Sequence, residues 1–341
     1  MVACAVLSGL ISNTATTVML LPVALALAEA AGVEGRGRSG FVLGLAYSAS
    51  IGGTSTLVGT PPNAVLAGLT DIGFAQWLSV GIPFACLAVP LAWWLVSAWM
   101  LPTHGDRIDA PSREAWKPGE RSVLLVVALS MGLWLLRKPI SLGGLTVPGW
   151  SALLPDPSAV TDAWVAIGAM LLLFLLPSGR DDRPFLLDWR EAEAAIPWGV
   201  LILLGGGFSL ARTIESSGLT AWLAAPVAEL GTLPVLAGVA MLCLGMTFVT
   251  ELTSNTATSQ IVLPLLLAAA PVAGVDPLVW MVPATLSASC AFMMPIATAP
   301  NAIATEAGGV SGADMASVGL VLNLVCVLLA TAVSGVVVFG W

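Results

Sequence analysis

The sequence predicts an all-α polytopic membrane protein. It is built from inverted repeats with two re-entrant helical hairpins and two broken helices, the first repeat being incomplete. Three observations carry this prediction. Of 341 residues, 57% are hydrophobic and only 9% are charged, and mean hydropathy is +0.95, whereas a soluble domain carries about 25% charged residues. The apolar residues gather into long runs, several near the ~20 residues of a spanning helix, and not into the short alternations of barrel strands. Finally, a pair of polar motifs occurs twice, in the same order and at nearly the same spacing.

This composition excludes a cytosolic enzyme and a disordered chain. A pI near 4.5 with no basic patch excludes nucleic acid as a partner and leaves the lipid bilayer as the surroundings. The net charge of −8 comes mostly from loops. The five cysteines, Cys4, Cys86, Cys243, Cys290 and Cys326, stand in apolar stretches without metal-type spacing and read as buried free thiols.

In chain order, apolar segments fall near 15–30, 41–52, 63–70, 77–101, 122–136, 163–177, 196–211, 233–252, 257–272, 278–291 and 314–340. Several are too short to span and meet Gly, Pro, Ser, Thr or Asn, the pattern of hairpins and broken helices. Three polar connectors separate them: a charged linker at 102–121, a Gly- and Pro-rich stretch at 137–162, and a charged stretch at 178–193. Trp189 and Trp198 flank a segment suited to the membrane interface. Trp77, Trp99, Trp164, Trp222, Trp280 and Trp341 stand near span ends, as an aromatic belt would place them.

Residues 12–22 read SNTATTVMLLP and residues 254–264 read SNTATSQIVLP, identical at seven of eleven positions. A second motif follows each copy: SASIGGTSTLVGTPPNA at 48–64 and SASCAFMMPIATAPNA at 287–302. Asn13 and Asn63 are 50 residues apart, Asn255 and Asn301 46. Ser, Asn and Thr compete with the backbone for hydrogen bonds and make a poor helix centre, so Ser-Asn-Thr between half-length apolar arms predicts a hairpin tip. Thr-Pro-Pro-Asn at 60–63 and Thr-Ala-Pro-Asn at 298–301 end one half-helix and begin the next, because proline suits a helix start. Non-helical backbone at membrane depth must be buried in protein or line a cavity. Each motif therefore presents helix termini to the midplane: N-termini attract anions, and carbonyls and side-chain oxygens attract cations.

No Lys or Arg lies within the four motifs, and the nearest charge is Glu251. An anion held there needs helix termini, hydroxyls, amides and bound cations. The chemistry points to an anion bound together with Na⁺ across two related half-sites. Glu251 itself reads as a capping or hairpin-packing carboxylate, with a cation or proton site as the alternative. Gly205-Gly206-Gly207 lacks the Gly-Lys-Ser/Thr of a phosphate loop and reads as close helix packing. His104 reads as a solvated loop side chain and Asn323 as a packing hydrogen bond.

Placing 29–40 in the cytoplasm puts 102–121 and 178–193 there too. Those connectors carry Arg36, Arg38, Arg107, Arg113, Lys117, Arg121, Arg180, Arg183 and Arg190, nine of the twelve basic residues; Arg137, Lys138 and Arg212 fall opposite. This is a positive-inside bias, and it opens the two hairpins to opposite faces.

With ISNTATTVMLLP, YSASIGGTSTLVGTPPNA, ELTSNTATSQIVLP, SASCAFMMPIATAPNAIA and LLGGGF in view, the chain resembles the divalent anion/sodium symporter family, the INDY-type dicarboxylate transporters, over essentially its whole length. The resemblance implies an integral protein of the inner (cytoplasmic) membrane if bacterial, and a homodimeric elevator that symports a small dicarboxylate of the succinate, malate or fumarate class with Na⁺. It implies substrate contacts from Ser12, Asn13, Thr14, Thr60, Pro61, Ser254, Asn255, Thr256, Thr298 and Pro300. It implies one sodium site from Ser12, Asn13 and backbone near Gly52 and Gly53, and another from Thr250, Thr253, Asn255 and backbone near Ala297. Na⁺ is then a co-transported ion and not a prosthetic group. A sodium-independent dicarboxylate exchanger, a sulfate carrier and a non-functional truncated remnant are the alternatives. A membrane enzyme is not expected, because no nucleophile–base pair or metal constellation falls inside the membrane.

The expected organisation is a first repeat at 1–101, a cytoplasmic linker at 102–121 and a second repeat at 122–341. The second repeat divides into scaffold spans at 122–232, a hairpin and broken helix at 233–307, and a last span at 314–340. Only eleven residues precede Ser12, whereas about 133 separate the linker from Ser254. The repeat therefore predicts about 120 further residues upstream, some four spans, with Met1 an internal methionine or the mark of a truncated gene. On that expectation the 341-residue chain by itself does not make a working carrier.

Overall fold

The computed structural model describes residues 1–101, 116–142, 145–157, 160–180, 183–196, 198–218, 222 and 226–340. His104, Arg107, Arg113 and Trp341 lie outside them. The chain divides into two compact units, one of residues 1–72, 77–108 and 202–341, the other of 73–76 and 109–201.

The larger unit contains both motif pairs. α1 (Val2–Ser8) and α2 (Asn13–Ala30) form a helical hairpin whose tip is residues 9–12. α3 (Arg36–Gly53), an extended break, and α4 (Pro61–Leu69) form the first broken helix, and α5 (Phe74–Met100) follows. The Ser12 hydroxyl caps α2 by accepting from Ala15 N at 3.2 Å. Pro61 and Pro62 open α4, where a missing N–H costs nothing.

The same order returns later in the chain. α10 (Val235–Leu252) and α11 (Asn255–Val272) make the second hairpin. α12 (Pro277–Ala288) and α13 (Ala299–Glu306) make the second broken helix, and α14 (Gly312–Gly340) follows. Thr298 caps α13, its hydroxyl accepting from Asn301 N at 3.2 Å. The hairpins pack crosswise: α11 lies against α4, and α13 against α2 and α3. The start of α3 lies beside the turn after α13, where Gly308 packs on Val42, and beside the start of α14, with Arg36 Nε 2.9 Å from Asp314 Oδ1; the Arg36 side chain is exposed, so the pair adds little stability. Among the described residues, five helices, α2, α5, α10, α11 and α14, are long and apolar enough to cross a membrane. Their outward faces are apolar, with Leu87, Trp93 and Trp94 exposed on α5 and Leu324 and Leu328 on α14.

α9 (Trp198–Ser216) carries the triple glycine. A Cβ at Gly207 would overlap the Gln260 side chain, whose Nε2 donates to the Leu203 carbonyl at 2.9 Å, so close packing is the role of that glycine. Gly205 and Gly206 face open space.

The smaller unit departs from an all-α reading. Between α6 (Glu120–Leu135) and α7 (Asp162–Leu175), the Gly- and Pro-rich stretch forms a two-stranded hairpin, β1 (Ile140–Leu142) with β2 (Leu145–Val147). A second hairpin pairs β3 (Pro177–Arg180) with β4 (Arg183–Phe185), ahead of a short helix α8 (Trp189–Ala195) closed by an Asp188–Glu191 capping box. Both are minor additions to a mostly helical chain. The unit is held at Arg137, which is 8% exposed. Its Nε pairs with the Asp162 carboxylate and its Nη1 donates to Val160 O at 2.8 Å. The other Asp162 oxygen accepts from Phe74 N at 3.2 Å.

Two expectations need correction. Trp77 and Trp280 are fully buried and do not belong to an interfacial belt; Trp77 Nε1 donates to Thr54 O at 2.9 Å. Trp99, Trp164, Trp189, Trp198 and Trp222 are exposed. All five cysteines are free thiols, yet Cys86 is exposed on α5, while the other four are buried.

Arg137→Ala strands the Asp162 carboxylate and the Val160 carbonyl. We expect a loss of about 2–4 kcal/mol, read as a lower thermal unfolding midpoint of the protein in detergent.

Candidate functional site

Each hairpin tip and the break beside it form a cluster of oxygen atoms. In the first, Ser8 Oγ donates to Ala49 O at 2.7 Å and lies 2.7 Å from the inward atom of the Asn13 carboxamide. That same atom lies 3.2 Å from the Ala49 carbonyl and 3.3 Å from the Gly59 carbonyl. With its nitrogen inward, the amide donates to these oxygens. With its oxygen inward, carboxamide, hydroxyl and carbonyl oxygens converge, an arrangement that favours a hard cation.

The second cluster repeats the first. Thr250 Oγ1 lies 2.6 Å from Asn255 Oδ1 and 3.1 Å from Ala288 O. Ser8 and Thr250 each stand five residues before the motif asparagine, and Ala49 and Ala288 are the alanines of the two Ser-Ala-Ser triplets. Thr253 Oγ1 is 2.6 Å from Thr258 Oγ1 beside it.

Broken backbone beside each cluster is braced by the asparagine that ends its motif. Asn63 Nδ2 donates to Thr56 O at 2.7 Å and Gly53 O at 3.3 Å. Asn301 Nδ2 donates to Ala291 O and Met294 O, both at 3.0 Å. These bonds satisfy carbonyls that the interrupted helix leaves free.

Most of the sequence-derived residues stand at helix starts. Ser12 and Asn13 sit at the N-terminus of α2, Thr60 and Pro61 at that of α4, Ser254, Asn255 and Thr256 at that of α11, and Thr298 and Pro300 at that of α13. Each of these four helix N-termini favours negative charge. Thr60 and Thr256 are buried, while Thr14 and Ser254 are exposed. Gly53 packs directly on the Asn13 carboxamide, leaving no room for a Cβ. The carbonyls of Gly52 and Gly53 are, however, taken by Ser55 Oγ and Asn63 Nδ2. Ala297 is buried, with its N–H on Met294 O at 3.2 Å. Ser8, Ala49, Gly59 and Ala288 were absent from the sequence-derived set. Extending the repeat upstream to the hydroxyl pair Ser8 and Thr250 was the signal that would have found the first of them.

Glu251 caps backbone, as expected of it: its carboxylate accepts from Phe292, Met293 and Met294 N–H groups. Asn323 is also a hydrogen-bonding side chain, with Nδ2 donating to Glu251 Oε1 at 2.7 Å. A separate cavity of about 920 Å³ lies among α4, α9 and α11, lined by Gly68, Phe208, Arg212 and Pro264. None of the cluster residues lines it.

The family model described as citrate transporter matches residues 1–285. The chain belongs to the citrate transporter family. It is an integral membrane protein. The sodium-dependent dicarboxylate transporter SdcS of Staphylococcus saprophyticus is 34% identical over 96% of this chain and 66% of its own length. The proteins of that name from two Staphylococcus aureus strains, USA300 and NCTC 8325, are each 33% identical over 96% of this chain and 66% of their own length. The chain therefore spans slightly less than two thirds of the length of these curated relatives.

Gly52 tests the fit between tip and break. A Cβ there would overlap the Ala5 backbone, so Gly52→Ala should cost about 1–3 kcal/mol. Gly245→Ala, in open space on α10, should be neutral or stabilising by up to about 1 kcal/mol. Parallel melting curves in detergent check the contrast.

Proposed function

We propose that this chain is the core of a secondary active transporter that couples inward movement of a small dicarboxylate to Na⁺. The observation that carries the reading is the pair of matching oxygen clusters at Asn13 and Asn255, each at a helix N-terminus, with no Lys or Arg in the motifs. The names of the relatives support sodium and a dicarboxylate as the pair carried.

On this reading, Ser8, Asn13, Ala49 and Gly59 hold one Na⁺, and Thr250, Asn255 and Ala288 hold the other, with Thr253 and Ala297 beside it. Carboxylates of the substrate lie between the tips, each facing Ser-Asn-Thr of one repeat and the Thr-Pro turn of the other. The helix N-termini supply N–H donors and partial positive charge. The cations supply the remainder, which neutral side chains cannot. Each net positive charge carried inward gains about 2.3 kcal/mol per 100 mV, which is the energetic reason to couple an anion to more than its own charge in sodium.

Inverted repeats suit this mechanism, because each half opens to one face. The start of α3 beside the turn after α13, and the crossing of α11 with α4, are what such an inversion requires. We further propose that the two hairpins and two broken helices move together as an elevator against a fixed scaffold in a homodimer.

Binding of labelled succinate by the purified protein tests the reading. We expect binding in NaCl and at least a tenfold loss, about 1.4 kcal/mol, when choline replaces sodium. Asn13→Ala and Asn255→Ala should each abolish it. Equal binding in choline refutes sodium coupling, and unchanged binding by both variants refutes the site.

A further inference from the structure

The two helix breaks share one plan but are pinned by different chemistry. The interval that separates Asn63 from Asn301 also separates Thr54 from Phe292 and Gly81 from Gly319. In both halves the glycine of the following helix admits the carbonyl of the break: Gly81 lies against Thr54 O, and Gly319 against Phe292 O. The side chains that meet the rest of the break then differ.

In the second break, Glu251 Oε1 accepts from Phe292 N at 2.7 Å and Met293 N at 2.9 Å, and Oε2 from Met294 N at 2.9 Å. Asn323 Nδ2 adds a fourth donor at 2.7 Å, and Asn323 Oδ1 accepts from Phe292 N at 3.2 Å. Glu251 is 3% exposed and Asn323 is fully buried. Only donors surround the carboxylate, which suits its acceptor-only form. Among the described residues no Lys or Arg pairs with it. In the first half, Gly9 stands where Glu251 does, four residues before the motif asparagine, and Ala85 stands where Asn323 does. Gly9 offers only its carbonyl, to the Thr56 hydroxyl.

We propose that Glu251, held by Asn323, is a positioning residue for the second cation half-site, so that this half-site binds sodium more tightly than the first and fills before it. The inference rests on reading the Asn255 cluster as a sodium site. Glu251 follows Thr250 directly, and Thr250 bridges Asn255 and the Ala288 carbonyl. By fixing the N–H groups of 292–294, the carboxylate sets the Met294 carbonyl, which receives both Ala297 N and Asn301 Nδ2. A loop already ordered gives up less entropy when an ion arrives. A negative charge answered only by N–H groups in a low-dielectric interior also favours a cation nearby. The first break, with neutral contacts alone, has neither advantage.

The test is sodium-dependent thermal stabilisation of the purified full chain in detergent, titrating NaCl against choline chloride at constant ionic strength. We expect the sodium midpoint to rise at least tenfold in Glu251→Gln and about threefold in Asn323→Ala. Dicarboxylate affinity at saturating sodium should stay within twofold of the unsubstituted protein. If Glu251→Gln does not fold, Asn323→Ala carries the test, since it keeps the carboxylate and its three backbone donors. A lower melting temperature without a change in sodium midpoint makes the pair merely structural and overturns the proposal. A shift in dicarboxylate affinity with no shift in sodium midpoint overturns it as well. An unsubstituted protein that sodium stabilises no better than choline overturns the underlying sodium reading, a failure distinct from either of these.

Discussion

Within a membrane there is no water to satisfy a peptide group, so a helix can break there only where protein supplies every lost partner. The rest of this structure depends on how that requirement is met at residues 54–60 and 289–298. Asn63 and Asn301 reach back to carbonyls at the end of α3 and in the breaks that follow α3 and α12. Trp77 and Tyr47 serve the same end from neighbouring helices, Trp77 Nε1 on Thr54 O and Tyr47 Oη on Phe292 O at 2.9 Å. Tyr47, the only tyrosine in the chain, shares its one O–H proton between Phe292 O and Met315 O, the latter at 3.1 Å, tying α3 to α14. Breaks satisfied in this way leave other carbonyls free to face the hairpin tips, as those of Ala49 and Gly59 face the Asn13 carboxamide.

The glycines follow from the same constraint. A helix can approach a broken backbone closely only where it has no Cβ. Gly81 and Gly319 let α5 and α14 press onto the carbonyls of Thr54 and Phe292, while Gly52 and Gly53 let the first break press onto the first hairpin tip. Closeness matters beyond packing, because oxygens from three separate segments must come within hydrogen-bond distance of one carboxamide. Ser8, Asn13, Ala49 and Gly59 achieve this across the hairpin and the broken helix.

Repetition made much of this legible in the sequence. The doubled Ser-Asn-Thr and Pro-Asn motifs marked both hairpin tips and both half-helix starts, because Ser, Thr and Pro have strong local preferences that survive tertiary context. Backbone positions are less legible: the resemblance implies backbone near Gly52 and Gly53, but which carbonyl lies beside Asn13 depends on how the break folds, and those of Ala49 and Gly59 lie 3.2 and 3.3 Å from its carboxamide. Trp77 is hard to read for a related reason: hydropathy puts a tryptophan near a span end but cannot report that the Thr54 carbonyl lacks a donor. The strands at 140–147 and 177–185 were illegible because three or four residues carry no measurable period.

The departures from symmetry are as informative as the repeat. Val18 occupies the place of Gln260 and is exposed, whereas Gln260 reaches the backbone of α9 at Leu203, beside Gly207. Gly9 occupies the place of Glu251. Both substitutions put the added hydrogen-bonding capacity in the second half, and both tie its hairpin to a neighbouring element: α11 to α9 through Gln260, α10 to the second break through Glu251. On the proposed reading, two halves with one architecture but unequal bracing respond unequally when a ligand arrives. The looser half has more order to gain, and the more firmly held half has already met that cost in folding. A duplicated core can in this way acquire a sequence of binding events without acquiring a second fold.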